Sequence, residues 1–360
     1  MLIRTERHII DKNNINYKNC IEICHLSKNL YNYVNYILRQ SFFETKRLPS
    51  ENEITALLTK NNQVDFRSLP SNVSQQTVKL VFKAWKSFFK ALKSYRKDKS
   101  KFTSNPKLPK YKSKNGLYVC VFTYNCSRIK DNKINFVKNI LKPIKTKVSR
   151  VKQARVVPNS SCFIVEIVYE KDVKETLKTS GSIASIDLGL NNFITYIDNL
   201  GNTPLIINGK GLKSYNRLFN KKKAKLQSLL PLNRHSSNKI RQLEFKRYKF
   251  ISNFMHQATK MLVKILLDRK IETLIIGYNK EWKQNVNLGK KVNQSFVQIP
   301  YTSFLQKISY KCEEYGIKVI LTEESYTSKI DHLANEPLSK RDSYLGKRIY
   351  RGLFLSSVGK

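Results

Sequence analysis

Asp187 stands at the end of an apolar run, in Ala-Ser-Ile-Asp-Leu-Gly-Leu (residues 184–190). An acid that follows a buried strand and precedes a glycine can reach a divalent metal in a crevice at the strand's carboxyl edge. Phosphodiester cleavage by paired metal ions needs about three such carboxylates, because hard oxygen ligands must hold Mg²⁺ while it activates water and stabilises the leaving oxygen. One acid leaves that reading open beside a plainer one, in which Asp187 caps the following turn. The six cysteines (Cys20, Cys24, Cys120, Cys126, Cys162, Cys312) form no Cys-x-x-Cys pair, and Cys24 beside His25 is poor geometry for one metal site. They read as reduced thiols of a cytoplasmic protein, buried or at the surface, and no metal site is expected from them. His256, among Phe254, Met255 and Leu262, reads as a packed histidine.

A second chemistry is phosphate binding. The chain carries 67 Lys and Arg against 26 Asp and Glu, a formal net charge of +41. Such an excess is not neutralised internally, and it steers a polyanion in. Membrane is the weakest partner, since no run of about eighteen apolar residues occurs. Three basic strips stand out: Lys79, Lys83, Lys86, Lys90 and Lys93; Lys107, Lys110 and Lys112; and residues 210–249, with Lys221, Lys222, Lys223, Arg241, Lys246 and Arg247. Each phosphate they neutralise releases counterions, so binding weakens steeply with salt. Ser74, Gln75, Gln76 and Lys79 open the first strip, and glutamine amides pair bidentately with adenine edges. The plainer reading there is helix capping and solvation. Tyr124 and Phe82 are the weak candidates for base stacking, with Phe82 on an apolar helix face. A ribosomal or structural RNA-binding protein shares this composition.

The elements that must position these residues fall into two grammars. Residues 2–10 read as a strand, then 19–43, 50–59 and 71–97 as helices, with Ser71 as the N-cap of the last. Residues 97–114 are a Pro/Lys/Ser-rich linker, kept extended by Pro106, Pro109 and charge. Strands at 119–124, 133–136, 148–157 and 162–169 read as a small barrel or sandwich. The first strand precedes the helices, which makes the helices an insertion into it. After Lys178-Thr179-Ser180-Gly181 the pattern becomes α/β. A buried strand (183–188), strands 193–198 and 205–207, a long basic helical region (212–268), a buried strand (273–276), a helix (300–315) closed by Gly316 and a further buried strand (317–321) follow. That order suits a ribonuclease-H-like core.

On these residues the chain resembles the TnpB/OrfB family of insertion-sequence RNA-guided nucleases. Ile-Asp-Leu-Gly-Leu-Asn-Asn-Phe (186–193) is similar to the family's first RuvC motif. Leu-Pro-Ser-Asn-Val-Ser-Gln-Gln (69–76), Ala-Trp-Lys-Ser-Phe-Phe (84–89) and Pro-Lys-Leu-Pro-Lys-Tyr-Lys (106–112) resemble its helical and linker signatures. Ile-Gly-Tyr-Asn-Lys-Glu-Trp-Lys-Gln (276–284) and Asn-Gln-Ser-Phe-Val-Gln-Ile-Pro (293–300) resemble a second RuvC region. Thr-Glu-Glu-Ser-Tyr-Thr-Ser-Lys (322–329) and Tyr-Leu-Gly-Lys-Arg-Ile-Tyr-Arg-Gly-Leu-Phe (344–354) complete the series, which spans nearly the whole chain. The resemblance implies an α+β multidomain protein. A β-barrel wedge domain (first strand in 1–15, remainder in 115–180) is split by a helical recognition insertion and linker (16–114), and a RuvC-like α/β domain (181–360) follows. It also implies a guide RNA as the ribonucleoprotein component, with no other cofactor. The guide pairs with double-stranded target DNA beside a short flanking motif read by the protein. The motif-reading helix of the family matches Ser74, Gln75, Gln76 and Lys79.

The departures shape the expected function. The family's usual catalytic Glu is replaced by Gly277, and in the most similar branch the acid comes from the strand ending in Glu323-Glu324. The family's four-cysteine zinc ribbon has no counterpart after residue 329. The sequence ends at Ser357-Val358-Gly359-Lys360, before the segment that carries the family's last catalytic Asp. The expectation is therefore a RuvC-like domain without zinc ribbon or C-terminal catalytic segment, with Asp187, Glu323 and Glu324 vestigial. That is the pattern of the TnpB-like nuclease-dead repressors (TldR proteins), which bind DNA and block transcription by occupancy in the bacterial cytoplasm, at the nucleoid. Two alternatives stand beside it. One is an active RNA-guided endonuclease in which Asp331 or Asp342 supplies the third acid; the other is a decayed transposon remnant.

Overall fold

The computed structural model describes residues 1–173, 181–279, 294, 296–324, 326–350 and 353–359. The segments 178–180, 280–284, 293, 295, 325, 351–352 and 360, all named in the motifs and termini above, lie outside the described residues. The chain forms two compact units, Met1–Asp172 and Val173–Lys360.

In the first unit, β1 (Leu2–Ile10) is followed by four helices: α1 (Tyr17–Thr45), α2 (Glu51–Lys60), α3 (Val64–Ser68) and α4 (Ser71–Lys97). Six strands come next: β2 (Cys120–Thr123), β3 (Ser127–Lys130), β4 (Lys133–Phe136), β5 (Ile144–Lys145), β6 (Gln153–Asn159) and β7 (Cys162–Lys171). One antiparallel sheet has the order β1-β7-β6-β2, and a second has β3-β4-β5. The helices thus interrupt the first sheet between its outer strands. Glu166 on β7 ties three strands together, through Arg7 on β1 at 3.0 Å and Arg155 on β6 at 2.8 Å. α2 starts with a capping box: the Glu53 amide donates to Ser50 Oγ and the Ser50 amide donates to the Glu53 carboxylate.

Two expectations change here. α4 is N-capped by Pro70 with no side-chain cap, so Ser71 is its first helical residue. Residues 148–152 do not join a strand. Val148 and Val151 are buried in the core, and the ladder begins only where the Lys152 amide donates to Val168 O at 2.8 Å. Apolar β-branched residues filled a core without an open partner strand beside them.

α1 carries its apolar face into a core shared with α4, where Trp85 packs edge-on against Phe42 and Phe88. Its other buried residues are polar. Lys28, Asn32 and Asn35, four and three residues apart on one helix face, hold residues 109–114 by their backbone. Lys28 Nζ donates to Lys114 O (2.9 Å), Asn32 Nδ2 to Lys112 O (2.9 Å) and Asn35 Nδ2 to Pro109 O (3.1 Å). The Lys112 amide donates back to Asn32 Oδ1 at 2.8 Å, and Trp85 Nε1 donates to Asn35 Oδ1 at 3.0 Å. The segment read as an extended linker is therefore a strap whose residues 109–114 are pinned along a helix.

The second unit holds a five-stranded sheet of order β10-β9-β8-β11-β12. Its strands are β8 (Ile183–Leu188), β9 (Asn192–Asp198), β10 (Leu205–Asn208), β11 (Thr273–Gly277) and β12 (Lys318–Thr322). β8, β9 and β10 form an antiparallel meander; β11 runs parallel to both β8 and β12. The helices α5 (Lys210–Gln227), α6 (Asn238–Asp268) and α7 (Tyr301–Glu314) complete it. The basic helical region breaks at Pro231, and Ser237 Oγ caps α6 by accepting from the Ile240 amide. α7 ends at Gly316, whose φ of +70° suits a residue without Cβ. β12 was expected to be buried, yet Leu321 is 51% exposed. It occupies the sheet edge and has one neighbour, so its apolar run marks an edge strand and not an interior one. β13 (Lys347–Tyr350) and β14 (Leu353–Leu355) form a separate two-stranded ribbon.

Candidate functional site

Three parallel strands deliver the site. Asp187 is the fifth residue of β8. On β11, Ile276 pairs with Ile186, so Gly277 comes level with Asp187. On β12, Thr322 pairs with Gly277, and Glu324 follows two residues later. The carboxyl ends of adjacent parallel strands thus bring Asp187 and Glu324 together, as open α/β sheets do for ligand sites.

Gly277 makes the meeting possible. A Cβ built on Gly277 would overlap the Glu324 carboxyl, which fills the space a side chain there would take. Asn279 fixes the approach: the Glu324 amide donates to Asn279 Oδ1 at 2.7 Å, and the Tyr278 amide donates to Thr322 O at 2.9 Å. The Glu324 carboxyl is half-buried and hydrogen-bonded to Asp187. Burial first, then the Asp187 charge and that bond, push its pKa up to about 7. Near neutrality the Glu324 carboxyl is about half protonated. Glu323 is exposed.

The acids offered as substitutes for a third ligand are placed otherwise. Asp331 is fully buried and accepts from Ser356 Oγ (2.9 Å), the Ser357 amide (2.6 Å), Ser357 Oγ (2.9 Å) and the Leu333 amide (3.2 Å). Burial pushes this carboxyl up, but the bonds from Ser357 and Ser356 outweigh it and hold it at about 2. Its lone pairs are committed to joining residues 331–334 to 356–357. Asp342 is exposed. Among the described residues no group of three or more His, Cys, Asp or Glu is gathered to hold a metal ion. The six cysteines are buried and none is in a disulfide; burial pushes Cys20 and Cys312 up to about 12. His256 is exposed, not packed, because it falls on the outer face of α6 while Met255 and Thr259 turn inward.

The basic residues sort by what else they touch. On α4, Gln75, Lys79 and Lys83 are exposed and Gln76 is half-buried. Ser74 is corrected: it is fully buried and its Oγ donates to Ser71 O at 2.9 Å, so it cannot reach a base edge. It lies on the α1-facing side of the helix, one hundred degrees from Gln75. Lys107 and Lys110 are exposed on the strap, whereas Lys112 sits 4.6 Å over Tyr31 and 4.8 Å over Tyr118. In the second unit, Lys221, Lys222, Arg241 and Lys246 are exposed. Lys223 is paired with Glu244 at 2.8 Å. Arg247 donates to Asn216 Oδ1 (2.8 Å) and Gln298 O (3.0 Å) and lies 4.9 Å over Phe219, so it clamps α5 and α6 and is not spare for phosphate. Tyr124 is 64% exposed; Phe82 is buried in the core.

Residues 166–283 match the OrfB_IS605 family, a probable transposase, and residues 301–350 match the Cas12f1-like TNB domain. The TnpB-like protein ORF457 of Acidianus two-tailed virus is 25% identical over 351 residues, covering 84% of this chain and 73% of its own. These matches support the TnpB/OrfB family. The fold is similar to that of a Cas12f1 chain, solved by cryo-EM with sgRNA and target DNA, with a TM-score of 0.52 at 14% identity, over 89% of this chain and 75% of that one. The OrfB match contains Asp187 and Gly277, and the TNB match contains Glu324 and Asp331. No helix among the described residues is long and apolar enough to cross a membrane.

Proposed function

We propose that this chain is an RNA-guided DNA-binding protein of the TnpB/OrfB kind that holds its target without cutting it, acting on transcription by occupancy as TldR repressors do. The observation that carries this reading is the carboxyl set itself: Asp187 and Glu324 meet at adjacent strand ends, and among the described residues no third acid is gathered with them. Paired-metal hydrolysis calls for about three ionised carboxylates. The described donors fall short of that set, and Asp331 is spent on a turn.

In this reading a guide RNA selects the sequence and double-stranded target DNA is the partner, as in the Cas12f1 complex. Gln75, Gln76 and Lys79 read the flanking motif from the exposed side of α4. Lys83, Lys107, Lys110, Lys221, Lys222, Arg241 and Lys246 meet phosphates. Pairing supplies sequence specificity, and the protein supplies backbone affinity.

The test is the purified complex with its own RNA, given a plasmid bearing the matching target and Mg²⁺. The expected result is a footprint over the target without strand scission. Specific cuts would establish the second reading, an active endonuclease. One observation favours that reading: Glu324, seated over Gly277, restores a carboxylate beside Asp187 at adjacent strand ends. Co-purification of one defined RNA is expected; a smear of bulk RNA would favour a decayed remnant.

A further inference from the structure

The strap and α4 enclose a feature that the reading above leaves unused. Between them lies an open cleft of about 570 Å³, within the size range of small-ligand sites. Its walls are Phe88 from α4 and Phe102, Tyr111, Lys107 and Lys110 from the strap, with Tyr31 of α1 also lining it. No acidic residue lines it. Around Lys110 and Tyr111 the strap is not a loose lid, because Lys28, Asn32 and Asn35 hold the backbone of residues 109–114 at 2.9–3.1 Å. Tyr111, 45% exposed, has the Arg39 guanidinium 4.9 Å from its ring centre. Arg39 Nε is buried and has no hydrogen-bond partner. Aromatic walls beside two exposed ammonium groups, with a cation already stacked on one ring, match one ligand chemistry: a flat base joined to a phosphate.

We propose that this cleft binds a single unpaired nucleotide, its base stacked on Tyr111 and Phe102 and its phosphate held by Lys107 and Lys110. Preorganisation matters, since a strap already fixed to α1 loses little freedom when the base enters. The proposal deepens the nucleic-acid reading above and rests on it, but it stands whether or not the Asp187–Glu324 pair can cut. The nucleotide comes either from the guide RNA or from a displaced DNA strand, and the chemistry is shared.

The full chain, stripped of nucleic acid in high salt, is titrated with rU 12-mers and dT 12-mers, and cross-linked to their 4-thio-substituted forms. Adducts are expected on Tyr111, Phe102 or Phe88, and the oligomer that gives them names the source. Tyr111→Ala weakens that oligomer roughly tenfold, while Tyr111→Phe binds as the parent does. Lys107→Ala with Lys110→Ala lowers the salt slope by about one to two counterions. Adducts only outside the cleft, unchanged binding by Tyr111→Ala, or equal competition by polyglutamate at matched charge each overturn the cleft while leaving nucleic-acid binding intact. Failure of the parent chain to bind either 12-mer overturns the wider reading as well.

Discussion

Replacing Glu324 by glutamine keeps the shape of the side chain and removes its titration. In the unfolded chain this carboxyl titrates at 4.5; in the fold it titrates at about 7. Between those values the folded protein keeps a proton that the unfolded chain has released. Folding therefore has its full stability below about pH 4.5, loses it as the pH climbs towards 7, and stays at the lower level above. At ~1.4 kcal/mol per tenfold change the ceiling is ~3 kcal/mol. Glu324 is only half-buried and solvent screens its neighbour, so ~1–2 kcal/mol is the working figure. For a unit of this size that corresponds to a fall of roughly 3–6 °C in the melting temperature of the second unit between pH 5 and pH 8.5. Glu324→Gln flattens this dependence, leaving the variant level with the parent at pH 5 and more stable at pH 8.5. Calorimetry across the range reads both. Parallel curves for parent and variant would show that burial and the neighbouring Asp187 do not raise the Glu324 pKa.

Gly277→Ala inserts a methyl where the Glu324 carboxyl lies; it costs ~1–3 kcal/mol by overpacking, and a chemical melt of the same unit shows it. The substitution also moves Glu324 away from Asp187, so the pH dependence above shrinks. Asp331→Asn removes the charge that gathers Ser356 and Ser357; limited proteolysis is expected to release residues beyond 331 from the variant at neutral pH. In the parent the held-down carboxyl keeps that turn fully closed above about pH 3.8, and the turn opens as pH falls through about 2. Lys79→Ala and Lys83→Ala each lower the salt slope of target binding by about one, Gln75→Ala relaxes the flanking-motif preference, and Ser74→Ala leaves DNA binding unchanged; filter binding against a panel of flanking sequences separates the three.

How far the sequence carries the structure depends on which force sets each element. α4 was legible in its extent, because its apolar positions recur at helical spacing over about five turns. Asp187 at a strand end was legible too, because a short apolar run followed by Asp and Gly has few other readings. Glu324 could not be told from Glu323, since alternation along an edge strand that is exposed on most positions gives no face to prefer. Gly277 looked like a lost acid when read alone; only the register of β11 against β12 reveals that it makes room. The strap was missed for a different reason. Its sequence lacks periodicity, and what orders it lies on another helix, in a lysine and two asparagines that look misplaced on an apolar face. Polar residues at spacings of four and three on the buried side of a helix are the signal that could have found it. Asp331 shows the same lesson, for its partners lie a chain reversal away at 356 and 357.

β1 carries a consequence for how the protein is made. Its partner is β7, so Ile10 must wait for Phe163 and Leu2 for Lys171. At a synthesis speed of ~5–20 residues per second the wait is on the order of ten seconds. During it α1 to α4 can assemble from nearby contacts, while the first strand travels unpaired with its edge open to any neighbouring chain. Closing that gap is a long-range step and a slow one. Slowed translation between the codons for residues 10 and 171 would lengthen the exposure, and crowded polysomes would be where misassembly begins.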